Sequence, residues 1–106
     1  MPALCPSSDI EEGSSRGFDF GDSSVFVVRK DGELYVYANR CPHLGVELEW
    51  VQDQFLNSDS SLIQCSTHGA LFLIEDGHCV AGPCLGENLR AIPFTIVDDH
   101  IFLDDI

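Results

Sequence analysis

The chain has 106 residues, 18 acidic side chains against 5 basic ones, a net charge of −13 at pH 7 and five cysteines. That length suits one domain over residues 1–106 and leaves no room for a separate catalytic domain. The charge opposes binding to the phosphates of nucleic acid or to anionic lipid, and suits a basic partner surface or plain solubility.

Residues 1–17 carry neither a basic start nor an apolar stretch, so they read as neither a signal peptide nor an anchor. No window reaches the length of a membrane-crossing helix. The default compartment is therefore the reducing cytoplasm. There, five cysteines argue for metal ligation or spare thiols rather than disulfides. Residues 1–16 read as a loosely held end, with Cys5 a free thiol.

The elements that follow are β-type. Ser24–Lys30 is β-branched and apolar, Asp31–Gly32 is a two-residue hairpin turn, and Glu33–Ala38 alternates. Glu47–Leu56 comes closest to a helical period before small polar residues break it. It reads as an ordered excursion between two loops, with one helical turn. Ser61–Cys65 is a short strand. Ala70–Ile74 and His78–Val80 flank the solvated turn Glu75–Asp76–Gly77. Leu89–Val97 and Ile101–Leu103 flank a turn at Asp98–Asp99–His100. Pro93 demands an edge position or a bulge. Cys79, alternating with Val80, reads as a small core hydrophobe, and Trp50 as core packing. His78 and His100 fall in turn regions and read as solvated.

Two short motifs carry the chemistry. Cys41–Pro42–His43–Leu44–Gly45 is a C-x-H, and Cys65–Ser66–Thr67–His68–Gly69 is a C-x-x-H. Each follows a strand-like run and ends in glycine, so each lies on a loop at a strand end. Residues two apart in extended chain project to one side, so Cys41 and His43 can converge on a point. Pro42 stiffens the first loop, while Gly45 and Gly69 permit turns that a side chain would oppose. By chance, each pair is expected only about 0.2 times in such a composition, and both together in roughly one per cent of cases. The spacing therefore indicates a metal site without naming the metal. A structural zinc site of the Cys₂His₂ kind uses the same residue types.

C-x-H-x-G, then C-x-x-H-G, then Gly82–Pro83 resembles the Rieske [2Fe–2S] family, from about Val25 to Leu103. The resemblance implies an all-β fold of small antiparallel sheets, with a cluster-binding subdomain of two ligand loops. It implies one [2Fe–2S] cluster per chain, with Cys41 and Cys65 on the inner iron and His43 and His68 on the outer iron. Gly82–Pro83 resembles the third loop, which covers the cluster; Cys84 beside it reads as packing rather than a ligand. Twenty-one residues separate His43 from Cys65, more than is usual in the ferredoxin branch.

High-potential members of the family carry a disulfide between the loops and a serine after the second His–Gly. Val46 and Ser66 stand at the disulfide places and Ala70 at the serine place. Fewer hydrogen bonds to sulfur, and the protein's negative charge, imply a potential low in the Rieske range of roughly −150 to +300 mV.

The chain shows no Gly-rich phosphate loop and no separate 2-His-1-carboxylate iron site. It reads as a one-electron carrier without its own catalytic site, working between a reductase and an oxygenase or similar acceptor. The alternatives are a structural zinc module, read out by a colourless protein, and a small non-catalytic subunit of a nitrite-reductase-like complex. The second is disfavoured by the presence of all four ligands. Leu44, at the tip beside the histidines, could join a docking surface.

Overall fold

The computed structural model describes residues 4–20, 23–40, 55–57, 61–65, 69–82 and 86–103. These residues form nine strands: β1 Cys5–Pro6, β2 Ser15–Phe20, β3 Ser23–Lys30, β4 Glu33–Ala38, β5 Leu62–Gln64, β6 Leu71–Leu73, β7 Cys79–Ala81, β8 Phe94–Val97 and β9 His100–Leu103. One 3-10 turn, Ser7–Asp9, follows β1. The strands make three antiparallel sheets of three, ordered β1-β9-β8, β2-β3-β4 and β5-β6-β7. No described helix is long and apolar enough to cross a membrane.

The middle strand β3 organises the packing. Its run of four apolar residues is buried on both faces, as an unbroken apolar strand should be. Alternation sends Val25 and Val27 to one core, and Phe26 and Val28 to the other. The first core joins β3 and β4 to the β1-β9-β8 sheet through Val36, Ile92, Ile101 and Leu103. The second joins them to the β5-β6-β7 sheet through Tyr37, Ile63, Phe72, Ile74 and Cys79. Each fully buried large side chain contributes roughly 1.5–3 kcal/mol, so both faces of β3 hold the molecule together.

The hairpins follow the local chemistry. Lys30 pairs with Glu33 across Asp31–Gly32, whose φ values are 53° and 79°. Two left-handed residues match the twist of the flanking strands, and Asp and Gly tolerate that backbone. The turn at Asp98–Asp99 repeats the device with φ 51° and 64°. It closes one residue earlier than expected: His100 pairs with Val97 as the first residue of β9, and its side chain is exposed. Pro93 lies just before β8, the free edge of its sheet, where its missing N–H breaks no ladder. The expected strand Leu89–Val97 is correspondingly shorter, beginning at Phe94.

The N-terminal stretch is not loosely held. From residue 4 onward it is fastened by groups distant in sequence. Cys5 pairs with Ile101, and Ile10 is 2% exposed. The Arg29 guanidinium donates to the carbonyls of Ser7 and Ile10 at 2.8 and 2.6 Å. The Glu12 carboxylate accepts from the amides of Asp31 and Gly32 at 2.6 and 2.8 Å. Ser7 donates to the Asp99 carboxylate. Residues 15–20 then add β2 to the open edge of β3. These ties are non-local and mostly polar, so no apolar period in the segment announces them.

Of the Glu47–Leu56 excursion, only Phe55 and Leu56 are among the described residues. Leu56 bridges Ile63 in antiparallel fashion, and Phe55 stacks on Phe26 at 4.3 Å and 7°. Trp50 lies outside the described residues.

Candidate metal centre

The loop expected to carry the second Cys–His pair is built from β5. Phe55 accepts the Gln64 N–H at 2.8 Å, and the Asn57 side-chain oxygen accepts the amides of Ser61 and Leu62 at 3.0 Å each. These bonds steer the chain into β5, which delivers Cys65. The Cys65 N–H donates to the Ala70 carbonyl, and the Gly69 N–H donates to the Cys65 carbonyl, both at 2.8 Å. The loop is thus closed on itself at its base. Gly69 leaves it at φ +68°, the left-handed backbone expected of that glycine. Cys65 is 0% exposed, and Ala70 beside it is equally buried.

Gly82 fastens a third stem to this loop. A Cβ on Gly82 would stand 2.7 Å from the Ala70 Cα and 3.1 Å from its Cβ, and the residue has φ +98°. Only glycine allows that approach. The chain entering Pro83 is therefore laid directly on the residue that follows His68–Gly69. Pro83 and Cys84 lie outside the described residues.

The loop expected to carry the first Cys–His pair leaves β4. Ala38 donates its N–H to the Arg90 carbonyl at 2.9 Å, and Asn39 donates its N–H to Ser24 at 2.8 Å. Arg40 then donates to the Ala38 carbonyl at 2.9 Å, a tight bend one residue before Cys41. Cys41, His43 and His68, with Pro42, Leu44, Gly45, Val46 and Ser66, lie outside the described residues. Among the described residues no three His, Cys, Asp or Glu side chains gather.

One segment shows where the loops sit. Residues 87–92 run between two sheets, hydrogen-bonding β7 on one side and β4 on the other. Cys79 N–H donates to Glu87 and Leu89 N–H to Gly77, both near 2.8–2.9 Å; Ala38 N–H donates to Arg90 and Ile92 N–H to Val36. Following this segment toward residue 87 therefore leads along β4 toward Asn39 and along β7 toward Gly82. Gly82 in turn touches Ala70. The stems of all three loops leave the sheets at one end of the molecule. The hairpin turns at Asp31–Gly32 and Glu75–Asp76 lie at the opposite end, joined by Lys30 and Glu75 at 3.0 Å. Mutual pairing raises the Lys30 ammonium and lowers the Glu75 carboxyl from their ordinary values. Glu75 thus has a partner as well as solvent.

The remaining candidates stay away from that end or in the core. Cys79 is buried and its thiol faces the Ala81 carbonyl at 3.2 Å, as a core hydrophobe does. Cys5 is in no disulfide, and burial pushes its thiol up. His78 is half-buried rather than solvated: its Nδ1 lies 2.9 Å from the Asn88 side-chain oxygen, in a bridge that flanks β7.

A Tyr37 bolt joins the sheets beneath the loops. Its hydroxyl donates to the Ile74 carbonyl, its ring packs on Phe26, and burial raises its pKa well above the ordinary value. Sequence reasoning missed Asn39, Ser24 and the Gly82–Ala70 contact. The one local signal was an Asn directly after an alternating strand and two residues before a cysteine.

Cys65, the one candidate donor among the described residues, is a buried thiol, a donor type that suits soft metals and iron–sulfur groups. A family model described as the Rieske [2Fe-2S] domain matches residues 1–96. The cytochrome b6-f complex iron-sulfur subunit of Chlorobaculum tepidum is 32% identical over 81 residues, covering 76% of this chain and 41% of that protein. The ferredoxin component of the alkene monooxygenase system of Xanthobacter autotrophicus is 32% identical over 84 residues, covering 77% and 66%. Among solved structures, the ferredoxin of carbazole 1,9a-dioxygenase from Nocardioides aromaticivorans IC177 superposes with a TM-score of 0.75 at 23% identity, over 100% of this chain and 97% of that one. That last likeness is one of fold. The chain spans less than half of the Chlorobaculum subunit and about two-thirds of the Xanthobacter component. With its three antiparallel sheets and its loop stems gathered at one end, this chain belongs to the Rieske [2Fe–2S] domain family, whose cofactor is one [2Fe–2S] cluster per domain.

Proposed function

We propose that the chain acts as one domain and carries single electrons on a cluster held by Cys41, His43, Cys65 and His68. Cys41 and Cys65 would hold one iron as thiolates, and His43 and His68 would hold the other through imidazole nitrogens. The observation that carries the reading is the gathering of both ligand-loop stems and the Gly82 stem at one end of the sheets. When bound, the cluster accepts and releases one electron. The chain's own part is to hold a sulfur donor dry, as at buried Cys65, and to present His68 from a loop whose base is closed and His43 from a stem bonded outward to Arg90 and Ser24.

The partners on this reading are a reductase that supplies electrons and an oxygenase or similar enzyme that takes them. Relatives that are ferredoxin components of a monooxygenase and a dioxygenase system support it. The chain itself has no catalytic site in this reading and works in the cytoplasm. Ala70, buried and without a hydroxyl, stands beside the second ligand loop, which supports a low potential. The test is anaerobic purification with iron and sulfide analysis, then EPR before and after dithionite. Two irons, two sulfides and a rhombic signal on reduction are expected. A colourless protein with one zinc and no sulfide overturns the reading, and a clearly positive midpoint overturns the low potential.

A further inference from the structure

We propose that Asn39 is the positioning residue of the first ligand loop, fixing through Ser24 the direction in which the chain leaves β4 toward Cys41. The inference rests on the ligand assignment above, because it concerns how Cys41 and His43 are aimed.

Among the described residues, apart from the Tyr37 hydroxyl and the cysteine thiols, only Asn39 and Ser7 are buried polar side chains. Asn39 is 4% exposed, in a stretch otherwise given to apolar packing. Burying an amide costs free energy unless it is hydrogen-bonded, so its place reflects geometry rather than hydrophobic gain. The residue grips Ser24 twice. Its backbone N–H donates to the Ser24 carbonyl at 2.8 Å, and its side-chain Nδ2 donates to the Ser24 hydroxyl oxygen at 3.2 Å. Ser24 sits near the start of β3, directly opposite Asp19 of β2. It is therefore part of the rigid base sheet.

The ladder between β3 and β4 ends at the pair Val25–Ala38. Immediately beyond it, the chain bends tightly, with Arg40 N–H donating to the Ala38 carbonyl at 2.9 Å. A bend of that kind, left alone, is free to swing about Asn39. The double grip on Ser24 removes that freedom one residue before the bend is complete. The second loop needs no such anchor, because Cys65, Gly69 and Ala70 close its base among themselves. The first loop has its stem bonded outward instead. Ligand groups on a stem held within a few tenths of an ångström meet the metal pre-organised, whereas a swinging stem must be ordered when the metal binds.

Asn39→Ala removes the side-chain grip and leaves the backbone bond. Ser24→Ala removes only the hydroxyl partner. Ile101→Val, buried in the other core, lowers stability without touching either loop and serves as the reference. Two readouts are taken on the purified full chain. Hydrogen exchange by mass spectrometry over residues 38–43 needs no cluster. EPR g values and the redox midpoint of the loaded protein read the ligand geometry. Asn39→Ala is expected to speed exchange over 38–43 about tenfold, the factor one buried hydrogen bond carries, and to shift the g values and the midpoint. Ser24→Ala is expected to move both in the same sense by less, and Ile101→Val to move neither. Unchanged exchange and unchanged g values in Asn39→Ala overturn the proposal. So does an equal change in Ile101→Val, which would make the effect one of global stability. A wild-type chain without iron and sulfide instead defeats the cluster reading, while the exchange comparison still decides whether Asn39 holds the stem.

Discussion

The two loops proposed to carry the ligands are held in opposite ways. The loop after β5 is closed within itself: Cys65 and Ala70 bond to one another, Gly69 bonds back to Cys65, and Gly82 lies against Ala70. The loop after β4 has a base bonded outward, through Ala38 to Arg90 and through Asn39 to Ser24. A self-closed loop keeps its shape if its own backbone is intact. An outward-bonded loop keeps its direction only while the sheet beneath it is intact. Disturbing each kind of support should therefore give a different signature in cluster binding and in stability.

The largest effect is expected from Cys65→Ser. It removes one proposed ligand from the self-closed loop while leaving its two backbone bonds. Iron content should fall to background and the reduced EPR signal should vanish, with far-UV circular dichroism unchanged. Retention of a full cluster would remove Cys65 from the ligand set.

Gly82→Ala should come next. The new Cβ would stand 2.7 Å from the Ala70 Cα, on backbone at φ +98°. Left-handed backbone alone costs a non-glycine residue ~1–3 kcal/mol, and the overlap adds to it. At about 4–8 °C per kcal/mol for a domain of this size, the thermal midpoint should fall by ten degrees or more. Because the third stem must lift off the second loop, cluster loss in air should also accelerate. A midpoint within two degrees of wild type would show that the stem does not rest on Ala70.

Tyr37→Phe tests the bolt between sheets rather than either loop. It leaves the buried Ile74 carbonyl without its donor, at a cost of about 1–3 kcal/mol. Denaturant midpoints should drop accordingly. The g values should stay put, because neither loop base uses the hydroxyl. A change in g values without a change in stability would reverse that division of labour.

The smallest effect is expected at Glu12, far from both loops. Its carboxylate accepts two backbone amides of the Asp31–Gly32 turn, and those bonds hold its pKa below the ordinary carboxyl value. A lowered folded-state pKa means that the contribution is present above the unfolded value and is lost as pH falls through the folded one. The difference in thermal midpoint between wild type and Glu12→Gln should therefore shrink as the solution is acidified below pH 4, with no change in the EPR signal at any pH. A difference that grows on acidification would contradict the sign.

Much of this architecture is readable from residue order because its causes are local. Asp–Gly between two apolar runs specifies a two-residue turn through backbone sterics alone, and the run at 25–28 announces a strand buried on both faces. The paired cysteine and histidine spacings are legible for the same reason, since residues two or three apart can converge through the chain's own geometry, which is why they are proposed as ligands. What only the tertiary structure decided lies between residues far apart: Arg29 and Glu12 fastening an N-terminal stretch with no apolar period, Gly82 pressed on Ala70, Asn39 gripping Ser24. Each of those contacts is polar or steric and non-local, so its energy depends on a distance that no pattern along the chain encodes. The residue types of the proposed metal centre were written in sequence; the support that aims the first loop exists only once β3 and β4 are paired.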